Sequence, residues 1–332
     1  MNRLDEGLAR LDRFQQRHAV IAFPHAVLKR YGEDRGSWLG ATISYYGFFS
    51  LLPALLAFVT IIYAVLGQNP TLLDEVLAAV WATLPFVGVD AIQRVEPISG
   101  SGPVLIASLL ISIWGAVGVV RVLQDALNVM WCVPTYRRPG FVIKLVRGLA
   151  VLGLVAAAVL ATGTITIVTL RASLPLARAI AGASLSIALN VVLITILFRV
   201  LTARHLTVGD LWPGAVIAGT STFLLTLLGG IYVERVVARA SAIYGSFATV
   251  IGLFAWISLL VQALVLANLV NVVRVERLWP RALTGRHLGE GDARAARLTT
   301  RRASIIPEAK PTGATPAKNT DEEDQSHRTP VT

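Results

Sequence analysis

The sequence predicts an all-α, polytopic membrane protein with six transmembrane helices and both termini in the cytoplasm. Of its 332 residues, 55% are hydrophobic and 15% are charged, whereas about 25% of the residues in an ordinary soluble domain are charged. About 20 apolar residues cross a hydrocarbon core as a helix, and continuous apolar runs favour helices over the short alternating strands of a membrane barrel. Six uncharged runs are long enough to cross, at residues 36–73, 97–120, 148–170, 179–198, 211–233 and 240–273.

The distribution of lysine and arginine predicts the orientation. The first 35 residues carry seven of them, residues 121–147 carry five, residues 199–210 carry two and the tail after residue 273 carries eleven, while the connections on the other side carry five. Cytoplasmic connections are enriched in lysine and arginine close to the spans. The net charge of +10 then mostly reflects the enrichment of cations on the cytoplasmic side, where they face anionic lipid. Because the cations are spread over several connections, we do not expect nucleic-acid binding.

Two extramembrane segments flank the spans. Residues 1–35 are predicted to be a cytoplasmic amphipathic segment, with a helix over residues 3–23 that ends near Pro24. This helix either lies in the membrane interface or docks on the bundle. Residues 276–332 are predicted to be a disordered cytoplasmic tail, because a composition of arginine, alanine, threonine and proline buries too little apolar area to order itself.

The transmembrane domain is predicted to occupy residues 36–275. Its longest outer connection, residues 67–102, is expected to contain two short helices broken at Pro85 and Gly88. The six spans are expected near residues 38–66, 103–120, 148–170, 179–198, 211–233 and 244–273.

A proline interrupts the first span, in the stretch SYYGFFSLLPALL. Pro53 removes the bond that its N–H would give to the preceding turn and crowds the carbonyl there, so we expect a kink. Tyr46 shares a flank of the helix with Pro53. Either the two border a gate in a transport path, or the kink fits the helix to its neighbours. Small residues on the other flank are expected to pack closely against other helices: Gly36, Gly40 and Gly47.

The second span carries a polar seam. Arg121, Asp125 and Asn128 occupy positions i, i+4 and i+7, so they share one face of the helix, where Arg121 and Asp125 can pair. Ionisable groups at membrane depth usually face the protein interior or a water-filled cavity, which makes the seam a candidate transport path. The alternative is that the pair anchors the helix where it leaves the hydrocarbon.

The last two spans are predicted to pack through small residues. Asp210 is expected to cap the fifth span just before Pro213, where a carboxylate satisfies free N–H groups and favours the helix dipole. Small residues let helices approach closely in a membrane, and a substrate groove along them is the alternative. The glycines expected to do so are Gly219 and Gly229 in the fifth span and Gly245 and Gly252 in the sixth.

Three stretches resemble the YihY/BrkB family of bacterial inner-membrane proteins, formerly mislabelled ribonuclease BN. They are residues 210–270, which begin DLWPGAVIAGTSTFLL, and the stretches ISYYGFFSLLPALLAFVTIIY and VLQDALNVMWCVPTYRRPGF. The similarity covers roughly residues 30–275 in the family's order. It implies a six-helix inner-membrane protein with cytoplasmic termini and a role in envelope integrity or virulence. A lipid or envelope-precursor transport role has been suggested for some members.

One departure from the family concerns the last span. Members often carry Gly-Ala-Glu-Leu there, and the matching residues 266–269 of this chain read Leu-Ala-Asn-Leu. Asn268 thus replaces the carboxylate, so a proton-coupled mechanism resting on that acid does not carry over. The amide can still form hydrogen bonds within the bundle.

The motifs of common enzyme classes are missing from the sequence. The five histidines are scattered, without the clustered His and Asp ligands of a metal-dependent nuclease, and neither HExxH nor GxSxG occurs. We therefore expect no enzymatic activity and no cofactor. Cys132 is the single cysteine and cannot form an internal disulfide.

Two functions remain open. In the first, the protein transports or flips an envelope lipid or precursor. In the second, it is a non-transporting scaffold or integrity factor. Membrane lipids are the expected partners of both, with an amphiphilic or lipid substrate for the first, and a homo-oligomer fits either. The residues expected along a transport path are Tyr46, Pro53, Arg121, Asp125, Asn128 and Asn268.

Overall fold

The computed structural model of the chain describes residues 12, 14–74, 76, 102–171, 175–232, 246–283 and 289–303. These ranges are mostly helical and contain no β-strand, so the predicted all-α class is confirmed for them. One 3₁₀ turn, Thr135–Arg137, follows the third helix. The helices of the described part are α1 (Ala19–Glu33), α2 (Gly36–Leu66), α3 (Gly102–Met130), α4 (Phe141–Arg171), α5 (Pro175–Leu201), α6 (Val208–Tyr232), α7 (Ser246–Val275) and α8 (Glu290–Ala303).

Five of these helices contain a stretch that is long and apolar enough to cross a membrane. The stretches are Ile113–Met130, Phe141–Ile165, Ile180–Leu201, Val208–Gly229 and Val250–Val275. A multi-pass membrane protein is the architecture that such stretches indicate. The predicted first span coincides with α2, a continuous helix of 31 residues, and its crossing stays a prediction.

The six long helices form a ring. Each of α2 to α6 packs against the next helix in the chain, and α7 returns to pack against α2. α3 also reaches across to α5 and α7. It is the most enclosed of the five helices with a candidate span, because half of that span is buried, against 11% of the candidate span in α4. α1 lies outside the ring, on α2 and α7.

The packed core lies at one end of the ring, which we call the basic end. It is the end that carries α1, α8 and the α3–α4 and α5–α6 connections. The sequence places large apolar side chains on facing turns here, and close packing of such side chains is what stabilises a core. Among the buried members are Leu127, Trp131, Phe198, Leu211 and Leu269.

The hairpin of α3 and α4 extends beyond the predicted spans. α3 continues past residue 120 to Met130, and α4 begins at Phe141 instead of near residue 148. The charged residues of these turns do not end the candidate spans, which run to Met130 in α3 and from Phe141 in α4. Asp125 of α3 and Lys144 of α4 form an ion pair at 2.6 Å, and this pairing lowers the cost of charge within the two apolar stretches.

The predicted end of the N-terminal helix near Pro24 is wrong. α1 begins at Ala19 after an extended residue, His18, and Pro24 lies inside it. A proline near the start of a helix forfeits one backbone bond, and burial of the apolar face that contains Ala22 and Ala26 offsets this loss. Of the predicted helix over residues 3–23, residues 3–11 and 13 lie outside the described part.

The predicted disorder after residue 276 is wrong for residues 276–283 and 289–303, which are ordered at the basic end. Asp292 accepts hydrogen bonds from Lys29 Nζ at 2.9 Å and from Arg281 Nε at 2.8 Å, and its other oxygen accepts the N–H of Ala282 at 2.9 Å. The segment is therefore docked on α1 by charged groups, which an argument from apolar area does not capture. Residues 304–332 lie outside the described part.

Two other expectations concern connections. The start of α6 is capped differently from the prediction, because the helix begins at Val208 and Asp210 lies in its first turn. The Asp210 carboxylate accepts the N–H and the hydroxyl of Thr207 at 2.9 and 2.8 Å, as the acid of a capping box does.

The outer connection, including the predicted break at Pro85 and Gly88, lies outside the described residues apart from its first turns.

Candidate functional site

The seam on α3 contacts α4. The guanidinium carbon of Arg121 lies 4.8 Å from the ring centroid of Trp114 and 4.6 Å from that of Phe141, where the faces of the rings attract a cation. Asp125 accepts a charge-assisted hydrogen bond from Lys144 Nζ at 2.6 Å. The predicted Arg121–Asp125 pair is therefore wrong, because both side chains have partners on α4. The seam joins α3 to α4 within their candidate spans, Ile113–Met130 and Phe141–Ile165, and a role in transport stays a prediction.

Asn128 and Asn268 are fully buried at the basic end. Asn128 Oδ1 accepts the N–H of Ala203 at 2.7 Å and thereby holds the α5–α6 connection. Asn268 Oδ1 accepts the indole N–H of Trp131 at 3.1 Å, so the hydrogen bond within the bundle that the sequence allowed is present. Both amides satisfy buried polar groups in the core, as buried amides usually do.

Asn271 of α7 has a similar role, which sequence reasoning missed. Its Oδ1 accepts the N–H of Gly214 at 2.7 Å and its Nδ2 donates to the carbonyl of Leu211 at 3.0 Å. Both groups lie beside Pro213, which has no N–H to contribute to the first turns of α6. The only signal in the sequence is a polar residue in an apolar span, which does not identify its partners.

Tyr46 lies on the side of α2 that faces α3. Its ring is 44% exposed and stands edge-on to that of Tyr45, with the centroids 5.7 Å apart. On α3 it adjoins Gly118, at which an added methyl would lie 3.9 Å from the Tyr46 ring. α2 continues as a helix through Pro53. A gate formed by Tyr46 and Pro53 stays a prediction.

Several of the predicted packing glycines adjoin neighbouring helices. A methyl added at Gly40 would overlap the amide of Gln262 in α7, and one at Gly219 would lie 2.8 Å from Cγ2 of Val191 in α5. The absence of a side chain is what allows such close approach. The others are Gly36 against the ring of Tyr31, Gly47 between α3 and α7, Gly229 and Gly252 in buried positions, and Gly245 outside the described residues.

Charged side chains are buried together where α1 meets α8. Arg30 is fully buried, with Nε 2.7 Å from a carboxylate oxygen of Asp34, and its Nη2 donates to Sγ of Cys132 at 2.9 Å. Arg302 donates to the other oxygen of Asp34 at 2.9 Å. Burial raises the pKa of Asp34 to about 6, although the two arginines oppose this rise. The cluster fixes the terminal segments to each other and to the residues that follow α3.

A cavity of about 590 Å³ opens at the basic end between the α3–α4 and α5–α6 connections. Its walls come from the residues between α3 and α4, the start of α4, the end of α5 and the residues that lead into α6. Several side chains at its rim are exposed, so the cavity is open to solution. The basic residues that line it are Arg137, Arg147, Arg199, Arg204 and His205.

The cavity lining is cationic and includes donors without acceptors. None of its lining residues is a carboxylate within the described part of the chain, and Arg204 pairs with Glu276, the residue after α7. Two donor groups are buried without a hydrogen-bond partner, the hydroxyl of Thr202 and Nη1 of Arg147, and Thr202 is only 3% exposed. The positive charge of the lining attracts an anion.

Sequence reasoning counted these cations only as charges that orient the chain. The lining residues come from two connections, residues 137–147 and 199–207, which are far apart in the sequence. Neither connection alone has a recognisable anion-binding motif. The usable signal is only that several basic residues of these stretches lie next to span ends.

Comparison with known proteins identifies the family. The family described as Virulence factor BrkB matches residues 27–287, a range that includes the whole ring from α2 to α7 and the two connections that form the cavity. No protein of curated function matches the chain, and no solved structure does. Because the match covers well over half of the sequence, the chain belongs to the BrkB virulence-factor family.

Proposed function

We propose that this protein is a multi-pass inner-membrane protein, with both termini in the cytoplasm, that supports envelope integrity by moving an amphiphilic lipid or envelope precursor between leaflets. The supporting observation is the cavity of about 590 Å³ at the depth where the candidate spans of α4 and α5 meet the basic end. Small-ligand sites have volumes of about 300–1,000 Å³. A cavity at this depth suits the polar part of an amphiphile whose acyl chains remain in lipid.

The charges of the basic end support the assigned orientation. The residues that approach the ends of α4 and α5 there include Lys144, Arg147, Arg199 and Arg204. Lysine and arginine close to the spans are retained on the cytoplasmic side during insertion. An amphiphile that enters the cavity would therefore come from the cytoplasmic leaflet.

A scaffold is the second candidate, and the docking of the terminal segments favours it. α1 and the segment around α8 are joined by ion pairs that involve Lys29, Arg30, Asp34 and Asp292. They form an ordered layer outside the ring of helices. A layer of this kind suits the recruitment of a protein partner to the membrane and requires no movement of lipid.

Reconstitution in proteoliposomes separates the two functions. A transporter moves a fluorescent lipid between leaflets faster than protein-free liposomes do, and we expect Asp125→Asn and Pro53→Ala to slow this movement. Arg297→Gln is the control, because Arg297 is exposed on α8 and makes no hydrogen bond or ion pair among the described residues. Translocation no faster than in empty liposomes, for anionic and neutral envelope lipids alike, would refute transport and leave the scaffold.

A further inference from the structure

We propose that the cationic cavity binds a phosphate-bearing anionic group, and that in the membrane this group is the headgroup of an anionic lipid. The inference rests on the proposed function and names the chemical class of its substrate. It assigns direct contacts to Arg147 of α4, Arg199 of α5 and Thr202, which follows α5, and all three line one cavity.

The charge of the cavity selects for an anion. Arg147 and Arg199 make no ion pair with a carboxylate in the described part of the chain, so their charges remain available to a ligand. A guanidinium presents its N–H groups as a planar fork that matches two oxygens of a phosphate.

The buried hydroxyl of Thr202 is an independent indication of a ligand. Its Oγ1 has no hydrogen-bond partner among the described residues, and the residue is only 3% exposed. Burying a hydroxyl without a partner is costly, and a structural role would be served as well by valine. Nη1 of Arg147 is buried and without a partner in the same way. Both atoms are enclosed by protein, so a phosphate in the cavity would accept their hydrogen bonds after the two side chains turn toward it.

The depth of the cavity favours a lipid headgroup as the source of the phosphate. Arg147 lies near the start of the candidate span Phe141–Ile165, and Arg199 lies near the end of the candidate span Ile180–Leu201. Headgroups occupy this level of a bilayer. Ile143, which is 52% exposed, gives the cavity an apolar wall on the side of α4, against which the glycerol and first methylenes of a lipid can pack. A free phosphate would use the same cations but not this wall.

Binding to the purified full-length protein in a neutral detergent tests the inference. The probes are dioctanoyl phosphatidylglycerol, sodium pyrophosphate and dioctanoyl phosphatidylcholine, titrated by calorimetry at fixed ionic strength. We expect saturable binding of phosphatidylglycerol, weaker binding of pyrophosphate, and no saturable binding of phosphatidylcholine. Arg147→Gln and Arg199→Gln should each weaken phosphatidylglycerol binding about tenfold, as the loss of a charge-assisted hydrogen bond predicts.

Two further variants keep the result interpretable. Thr202→Val retains the shape of the side chain, so thermal stability should be unchanged or higher while binding weakens. Arg297→Gln removes one charge from the same end of the molecule and should leave binding unchanged. Equal weakening by Arg297→Gln and by Arg199→Gln would show that general surface charge attracts the lipid, and this would overturn the inference. Full binding to Thr202→Val would also overturn it.

The outcomes distinguish a lipid headgroup from a soluble phosphate, and they distinguish failure of the binding site from failure of the proposed transport. If pyrophosphate binds as tightly as phosphatidylglycerol, the site takes a soluble phosphate and the assignment to a lipid is wrong. Selective binding of phosphatidylglycerol without translocation in proteoliposomes would refute the proposed transport and retain the site. Translocation that persists in Arg147→Gln and Arg199→Gln, with no saturable binding, would refute the site and retain transport.

Discussion

Lowering the pH from about 7 to about 4 should stabilise the wild-type protein relative to the variant Asp34→Asn. Asp34 is buried where α1 meets α2, with Arg30 and Arg302 against its oxygens and Glu33 nearby. Burial has the largest effect on its pKa and raises it from 3.8 to about 6. One pKa unit corresponds to about 1.4 kcal/mol, so a rise of about two units amounts to about 3 kcal/mol of folding free energy linked to this proton.

The sign follows from which state holds the proton more tightly. The folded protein binds it more tightly than the unfolded chain does, so the stabilisation is complete below the unfolded pKa of about 4. It is lost as the pH rises through the folded pKa of about 6. The amide of the variant does not titrate. His25, whose pKa is lowered mainly by burial, and Asp292, whose pKa is also lowered, are present in both proteins and cancel in the comparison.

Urea unfolding of the detergent-solubilised protein, at several pH values between 4 and 7.5, measures the effect. The free energy of unfolding of the wild type, minus that of the variant, should increase by about 3 kcal/mol as the pH falls. A difference that does not change with pH would mean that the two arginines fully compensate for burial. A difference that changes in the opposite direction would refute the reasoning outright, because the ion pairs would then dominate.

Individual contacts in the bundle lead to three other expectations. Gly219→Ala should destabilise the protein by about 1–3 kcal/mol because the added methyl meets Val191. Gly153→Ala is the control and should be neutral or stabilising, because the added methyl meets no described atom within 4 Å. Equal melting temperatures for the two variants would contradict this expectation. Asn271→Leu should cost about 2–4 kcal/mol in thermal unfolding, because two buried backbone groups lose their partners, and a loss under about 1 kcal/mol would show that they find others. A reporter fused after Thr332 should be active only in the cytoplasm, and activity outside would reverse the proposed orientation.

The spans could be predicted from the sequence because each depends on a local property. A run of apolar residues without charges is sufficient to indicate a crossing, and α5, from Pro175 to Leu201, lies close to the predicted residues 179–198. The ends of α3 and α4 were harder to predict. A count of uncharged residues ends a span at the first charged side chain, whereas the candidate span of α3 contains Arg121 and Asp125 and runs to Met130.

The docking of the terminal segments could not be predicted, because it depends on pairs of residues that are distant in sequence. Lys29 and Asp292 are separated by 263 positions, and Asp12 accepts the N–H of Leu283 across 271. A polar composition argues against burial of apolar area but says nothing of ion pairs with another segment. The segment after α7 was therefore expected to be disordered, although Leu278 and Ala295 are buried in the core.

The cations of the basic end do not all have the same role. The positive-inside rule counts lysines and arginines near the spans regardless of their partners. The structure separates them, since Arg30 and Arg281 are buried against carboxylates and hold the terminal segments, whereas Arg147 and Arg199 line a cavity without a carboxylate partner in the described part of the chain. Orientation requires only charge, and it gives no reason for a buried, unpartnered hydroxyl at Thr202. Substitutions in the first group should therefore disturb the fold, and those in the second should alter the binding of anions while the fold and orientation persist.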